Sequence, residues 1–522
     1  MNAKKSILPY LLVLSVLIGV TSCKSFLNEH SEDLAYIQTL DDLDQLLMGS
    51  GYMEVNPRTP LKYSNFYFPY IHYISDETQE VIGETRYSPE ANIRPVIFGY
   101  YTWQKSVGES FDGLTHNDES VDWLRLYNHI STLNVVLSEI EDIDAPTATE
   151  KKKKNRIIAE ASFLRAAYHF WLVNLYTEAY SPEHIDKPGI PLKLEKFIKD
   201  TKYKRASIQT VYQTILEDLQ RAEALMPSDA SRSKYRISQQ GILLYMSRVY
   251  LYMQEWSKAI AYAQKAISKG STLTNINGWS KDNYFLSLAN PEVLFSMGGS
   301  LVYAQLSSSS PIGAFEVSKE LYDLYGDSDL RKTVYFKKES LKGGQQNYHV
   351  YPVKQNPKGP YRAEVSDIFC LRLSEAYLNL SEALAMSNDL AKSNEVINQL
   401  LQMRTKVSDF HPINITDQKE LISFLREERR KELCFEGHRW LDLKRYREVK
   451  AFPYKKDLVN TYTIYTKEGR NSRMQATYEY LLPANEDAGY TLPIPLEEKA
   501  INDVIVDNER VERKPTNIKN YD

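Results

Sequence analysis

The sequence predicts a mainly α protein in which antiparallel helix pairs form a scaffold, interrupted by long loop-rich excursions that carry a few short strands. Three observations predict this. Apolar residues recur at helical spacing over several separate stretches. Small residues mark a close helix–helix approach in one of them. The segments between are richer in glycine, proline, asparagine, serine and tyrosine and show weak periodicity.

Taken in order, Trp123, Tyr127, Ile130 and Asn134 fall on one face of a helix within Asp122 to Ile143. The next helix starts after Pro146, where Thr147 and Glu150 have the spacing of a capping box. Its seam of Ile157, Ala161, Leu164, Tyr168, Trp171 and Leu175 is widened by Phe163, Ala167 and Phe170. So broad an apolar face requires neighbours on several sides. Lys151 to Lys154 are its solvated first turns. Ser207 caps a third helix, whose apolar face of Val211, Ile215, Leu219, Ala222 and Leu225 stops at Pro227. Ser247, Tyr250, Ala259, Ala263 and Ala266 fall close to the spacing of a tetratricopeptide repeat, in which small residues let two antiparallel helices approach. Asp367 to Met386 with Leu390 to Met403, and Asp417 to Glu436 beyond, continue the paired pattern. Four such pairs stack to bury an interior that no single pair covers. The scaffold is thus expected over about residues 121–270 and 366–448, and the excursions over about 51–120, 271–365 and 450–515.

The N-terminus carries a different signal. Lys4 and Lys5 precede an almost wholly apolar run from Ile7 to Val20, and Thr21 and Ser22 lead directly to Cys23. This is a secretory signal, too short for the ~20 residues of a comfortable transmembrane helix. A cysteine at that point is what a bacterial lipoprotein signal requires, so residues 1–22 are expected to be removed and Cys23 to be the lipid anchor. No later segment is apolar enough to span, so the membrane is expected to be reached through the lipid alone. The formal charge of −4 becomes −6 once Lys4 and Lys5 are gone, which argues against nucleic acid or anionic lipid as a partner. Cys370 and Cys434, in helical and partly apolar surroundings, read as buried thiols and not as a disulfide framework. Tyrosine is in excess, 38 against 17 phenylalanines, and supplies apolar faces with hydrogen-bonding tips suited to sugar or peptide.

The stretch Arg426 to Tyr446, REERRKELCFEGHRWLDLKRY, holds the densest chemistry. Glu427 stands four residues before Lys431, Arg429, Arg430, Arg439 and Arg445 lie close by, and Leu425, Leu433, Cys434 and Phe435 form an apolar side. Gly437 breaks the run before Trp440, Leu441 and Leu443 begin a second amphipathic turn. The charges predict a helical hairpin laced by structural ion pairs. The pattern ER-x-x-EL-x-FEG-x-RW-x-DLKR, carried by Glu428, Arg429, Glu432, Leu433, Phe435, Glu436, Gly437, Arg439, Trp440, Asp442, Leu443 and Arg445, resembles the C-terminal signature of the SusD/RagB family, surface lipoproteins of Bacteroidetes nutrient-uptake systems. Glu160 to Tyr176, EASFLRAAYHFWLVNLY, is similar to the family's first major helix signature. It departs at Thr177, where the family usually has glycine, and resumes at Gly189 to Leu192. Ser75, Asp76 and Glu77 resemble a structural motif of the family, and Leu492 to Pro495 its C-terminal strand.

The resemblance implies a SusD-like fold in a single domain, 23–522, on the outer membrane and facing the cell exterior. The acidic residues that often follow the anchor are absent from Lys24 to Asn28, and Glu29, Glu32 and Asp33 come later. It further implies a protein that is not an enzyme and needs no cofactor or metal. Such a protein captures an oligosaccharide or a peptide and delivers it to a SusC-like TonB-dependent outer-membrane transporter. Because the family's ligand surface is built from the excursions, Tyr100, Tyr101, Trp103 and Gln104 of the run GYYTWQ are implied as ligand-binding, with Trp279, Tyr284 and Tyr303 from the second excursion.

The residues themselves supply no HExxH, CxxC, G-x-S-x-G or phosphate loop, and no histidine pair has a convincing metal spacing. Asp327 and Asp329 open a calcium-loop pattern, but its glycine and closing glutamate are out of register. Two other readings stay open: a surface glycoside hydrolase, whose two carboxylates need not be close in sequence, and a periplasmic tetratricopeptide-type scaffold with a protein partner.

Overall fold

The computed structural model describes residues 37–521 except 55–66, 84–93, 115–120, 198–200, 229–232, 281–282, 300–305, 307–314, 342–347, 356–363, 470 and 487. Its helices in chain order are α1 (Leu40–Leu46), α2 (Arg94–Tyr101), α3 (Val121–Glu139), α4 (Ala148–Tyr176), α5 (Ile208–Leu225), α6 (Gln239–Tyr252), α7 (Trp256–Ile267), α8 (Lys319–Asp323), α9 (Arg331–Val334), α10 (Leu373–Met386), α11 (Leu390–Arg404), α12 (Gln418–Leu433), α13 (Arg439–Arg447) and α14 (Leu496–Ile501). The strands are β1 (Thr78–Glu80), β2 (Val293–Ser296), β3 (Phe315–Val317), β4 (Phe336–Ser340), β5 (Tyr348–Pro352), β6 (Cys370–Arg372), β7 (Leu458–Glu468), β8 (Asn471–Leu482) and β9 (Asn517–Asn520). The strands form antiparallel pairs β1–β3, β2–β6 and β4–β5 and one antiparallel sheet in the order β7–β8–β9.

The helical stack follows the sequence pattern closely. Thr147 and Glu150 make the expected capping box at α4, and Ser207 caps α5 through the backbone N–H of Thr210 at 3.1 Å. From Ile157 onward α4 is buried on nearly every side, the physical meaning of its wide apolar face. It lies between α3 and α5; α6 packs on α7, α7 on α10, and α10 on both α11 and α12. The alanines of α7 act where small residues were expected, though the contact reaches further: Ala263 packs on Leu380 and Leu384 of α10.

Three differences from the sequence reading have physical causes. The helix expected from Asp367 starts at Leu373, because Cys370–Arg372 pairs with β2 as β6. Continuous apolar runs such as Ile368 to Leu371 carry no period to choose between helix and strand. The last excursion holds strands of 11 and 12 residues, longer than expected, joined through Gly469 at φ +64°. Leu492 to Pro495 is buried but is not a strand; the Leu492 N–H donates to the carbonyl of Leu175 and that of Ile494 to Asp507 Oδ1.

The charges of the signature stretch are structural, but most of their partners lie far outside the hairpin. Glu432 of α12 accepts from Arg372 Nη1 at 2.6 Å, Arg404 Nη2 at 2.9 Å and Arg331 Nη1 at 3.1 Å, all four side chains being fully buried. Arg372 continues to Glu436 at 2.7 Å, which also takes Lys354. Arg404 continues to Glu292 at 2.7 Å. Burial alone would raise the Glu432 carboxyl; Arg404, Arg372 and Arg331 outweigh it and hold the group well below the usual carboxylate range. A second cluster closes the hairpin itself, with Asp442 between Arg429 and Arg445 at 2.8 Å each, and Arg445 forked on Glu382 at 2.7 Å. Gly437 adopts φ +74° beside Trp171 and Ile368, leaving a Cβ only 3.1 Å from the indole. Cys370 and Cys434 are buried free thiols.

The motif Ser75 to Glu77 is tied to this hairpin. Arg439 forks on Asp76 at 2.7 and 2.8 Å and Lys456 reaches it at 2.7 Å, while the Phe435 N–H donates to Glu77 Oε1 at 2.8 Å. Asp329, considered above for calcium, is occupied by Arg331 at 2.7 Å and Lys431 at 3.5 Å.

Removing the Glu432 carboxylate takes the shared partner from three buried guanidiniums. Glu432→Ala is therefore expected to lower stability by ~3–5 kcal/mol in denaturant melts. His72 gives a pH signature. Its Nδ1 lies 3.3 Å from Glu77 and its Nε2 3.6 Å from Asp367; burial lowers its pKa, but the two carboxylates outweigh burial and raise it to about 9. The protonated imidazole then contributes stability that is complete below its ordinary pKa of ~6.5 and lost as pH rises towards 9. Across that window stability is expected to depend on pH less steeply upward-to-lost in His72→Gln than in the parent, so their difference should shrink as pH rises in paired thermal melts.

Candidate functional site

The run GYYTWQ does not reach the surface. Gly99 ends no helix; it sits inside α2 because a Cβ there would fall 2.4 Å from the carbonyl oxygen of Val107. The side chains that follow are drawn inward by the same close approach. Tyr100 stacks on Tyr70 with centroids 3.8 Å apart, and Tyr101 meets Phe315 edge-on at 4.8 Å. Trp103 is 1% exposed and donates its indole N–H to the carbonyl of Ile74 at 2.9 Å. Gln104 donates to Thr102 Oγ1, and its carbonyl accepts from Arg510. These four residues form a node of the core, which corrects their expected place in a ligand surface.

The second excursion behaves differently. Gly278, at φ +74°, turns the chain just before Trp279. Trp279 and Tyr284 are half-buried and line an open cleft of about 430 Å³ with Thr274, Asn283, Ser287, Asn290 and Glu364. The Trp279 indole donates to the carbonyl of Asn283 at 3.2 Å, and its ring lies 5.9 Å from that of Phe285. Tyr303 lies outside the described residues, as does Cys23.

What holds this cleft in shape is the buried ion network. Thr274 donates its N–H to Glu292 at 2.7 Å and accepts from Arg404 Nη1 at 2.6 Å through its carbonyl. Asn290 Oδ1 accepts from Thr274 Oγ1 at 2.6 Å and from the Glu292 N–H at 2.9 Å. Lys234 reaches across to the carbonyls of Leu288 and Asn290, each at 2.7 Å. The guanidiniums of Arg404 and Arg372 lie 5.2 and 5.4 Å from the Phe285 ring centroid. The floor of the cleft is thus set by the same groups that join α11 to α12, so little ordering remains for a ligand to impose.

Chemically the cleft offers two ring faces, amides, hydroxyls and a carboxylate, the groups that grip a polyhydroxylated ligand of modest affinity per contact. Glu364 is the only carboxylate among its described lining residues. Thr274, Asn283, Asn290 and Glu364 were not singled out from the sequence. Polar residues in a polar segment carry no local signal, and only the fold brings Glu364 to Trp279.

Comparison with known proteins agrees with this architecture. A family model described as starch-binding associating with outer membrane matches residues 83–251, and one described as the SusD family matches residues 343–510. The chain belongs to the SusD/RagB family. Among curated relatives, the SusD-like proteins P2 and P38 of Formosa agariphila are 24% and 22% identical to it, over 62% and 63% of this chain and 71% and 72% of theirs. A SusD superfamily protein of Bacteroides thetaiotaomicron shares the fold at TM-score 0.69, with 20% identity over 90% of this chain and 100% of that one. A putative sugar binding protein of Bacteroides vulgatus does so at TM-score 0.67, with 23% identity over 91% of this chain and 99% of that one. Both SusD signatures in the sequence fall within the matched regions. Among the described residues of this SusD-family chain, no helix is long and apolar enough to cross a membrane.

The two tryptophans separate by stability. Trp103→Ala empties a core site and is expected to cost ~3–5 kcal/mol, while Trp279→Ala, half-buried at the cleft, is expected to cost clearly less. Urea denaturation of the two variants checks this.

Proposed function

We propose that this SusD-family protein is a non-enzymatic binding protein that captures an oligosaccharide in the cleft of Trp279 and Tyr284. The observation that carries the reading is the cleft itself: two half-buried rings beside amides and one carboxylate, on a floor fixed by the Glu292–Arg404 network. The family description, starch-binding associating with outer membrane, and the putative sugar binding protein of Bacteroides vulgatus support a glycan as ligand. A second relative with the same fold, from the same organism, is a SusD-like carbohydrate binding protein. Binding and release suffice for such a role.

The mature protein, a single domain of residues 23–522, is held to the outer membrane through acylated Cys23 and faces the cell exterior. It hands the glycan to a SusC-like TonB-dependent transporter. Support for the anchor comes from the signal at Lys4 to Cys23, and for the transporter from family membership.

With amylopectin, laminarin, xylan, galactomannan and their hexasaccharides as probes, the parent protein is expected to bind at least one and to release no reducing ends from it. Trp279→Ala is expected to weaken the hexasaccharide about tenfold by titration calorimetry, equivalent to ~1.4 kcal/mol; unchanged affinity would remove the cleft from the reading. Cys23→Ser is expected to shift the protein from the membrane to the soluble fraction. Purification from detergent-solubilised outer membranes should recover a large TonB-dependent barrel in comparable amount.

A further inference from the structure

A second cleft, of about 380 Å³, opens between α3, residues 193–197 and 201–203, and α14. It shares no lining residue with the cleft of Trp279. Its walls are built as deliberately as those of the first. Asn134 Nδ2 donates to the carbonyls of Lys193 at 2.8 Å and Glu195 at 3.3 Å. Asn134 Oδ1 in turn accepts from Arg165, itself forked on Asp218 at 2.7 and 2.8 Å. At the other end Asn502 Nδ2 donates to the carbonyl of Tyr203 at 2.9 Å and to Glu498 at 3.0 Å, and Glu498 accepts from the Trp123 indole at 3.1 Å. Lys193 and Glu195 are therefore tied to α3, and Tyr203 to Asn502 at the end of α14, by side chains that are themselves held.

Of the thirteen described residues that line this cleft, nine are polar or charged, three are aromatic, and only Ile501 is aliphatic. That composition disfavours an apolar peptide groove, which would present aliphatic anchors. The charges largely answer one another: Lys202 pairs with Asp503 at 2.6 Å, and Lys193 stands 5.0 Å from the Tyr127 ring and 5.6 Å from the Tyr203 ring, beside Glu195 and Glu498. An anion or a polycation is not what such a balance recruits. Phe197, at the mouth, is 69% exposed. Lys196 Nζ stands 4.8 Å from its ring centroid, and the exposed phenyl beside amides and hydroxyls matches the C–H face of a pyranose ring.

We propose that this cleft is a second glycan-binding site, in which Phe197 is the stacking platform and Asn128, Ser131 and Thr201 meet the sugar hydroxyls. The site takes a neutral segment of the same polysaccharide chain that occupies the first cleft. Two weak sites on one rigid protein raise the retention of a polymer well above that of a short oligosaccharide, by ~10²-fold or more where one chain spans both. The proposal rests on the glycan reading of the first cleft.

The test is native affinity electrophoresis in gels containing amylopectin, laminarin, xylan or galactomannan, with the hexasaccharide of the retained polymer titrated in parallel. Phe197→Ala is expected to lower polymer affinity at least tenfold while binding of the hexasaccharide at the Trp279 cleft persists. Phe197→Trp is expected to restore retention, which a merely structural role for an exposed phenylalanine would not produce. Trp279→Ala should leave residual retention that disappears in the double variant with Phe197→Ala. If Phe197→Ala and Asn128→Ala both keep parental retention and Trp279→Ala alone abolishes it, the second site is overturned and the first stands. If the parent binds no polymer and no hexasaccharide of the panel, the glycan reading fails and the second site falls with it.

Discussion

The Glu432 carboxylate, buried among Arg331, Arg372 and Arg404, is the point through which otherwise separate parts of this chain are fixed to one another. Each guanidinium arrives from a different element: α9, β6 and the end of α11. Each also holds a second carboxylate, Arg331 that of Asp329, Arg372 that of Glu436 and Arg404 that of Glu292, and an unpaired charge in that interior would cost several kcal/mol. The cluster need not make the fold more stable than an apolar core of equal volume would. Its effect is on uniqueness: only one docking of β6 and α11 against α12 satisfies four forked or near-forked contacts at once.

From that point order passes outward in two directions. Through Glu436 and Lys354 it reaches the loop after β5, with Lys354 also donating to the carbonyls of Glu432 and Cys434 at 3.0 Å. Through Arg404 and Glu292 it reaches Thr274 and Asn290, which form the floor under Trp279. The helical scaffold and the excursion are therefore not a rigid frame with a loose appendage. A ligand meeting Trp279 meets a surface whose backbone carbonyls already serve as acceptors for buried cations.

How much of this was legible in the sequence depends on the range of the interaction that decides each feature. Capping at Thr147 and Ser207, the wide seam of α4 and the small residues of α7 are local, and the structure places them as the spacing requires. The charges of α12 and α13 were legible as structural but not in their partners. Helical spacing suggests neighbours three or four residues away, whereas Glu432 is bound by residues 28, 60 and 101 positions distant. Where burial is on all sides the period itself vanishes, as at Cys370–Arg372, and strand and helix look alike.

The aromatic residues show the same limit from the side of function. GYYTWQ and the segment around Trp279 both read as tyrosine- and tryptophan-bearing loops, and the family resemblance implied a ligand surface at both. The deciding fact at the first lies in a backbone contact: Gly99 lets α2 approach Val107 so closely that the following rings are folded into the core against Tyr70 and Phe315. Near Trp279 and Phe197 side chains bind backbone carbonyls instead, Arg404 that of Thr274 and Asn134 those of Lys193 and Glu195, and the rings stay half-buried and exposed respectively. A ring is offered to a ligand when the hydrogen bonds that order its loop come from the core side and the ring itself is not needed to close the core. Asn134 orders the residues ahead of Phe197 as Arg404 and Glu292 order Thr274 ahead of Trp279, and that shared construction is the physical reason to treat both clefts as binding surfaces.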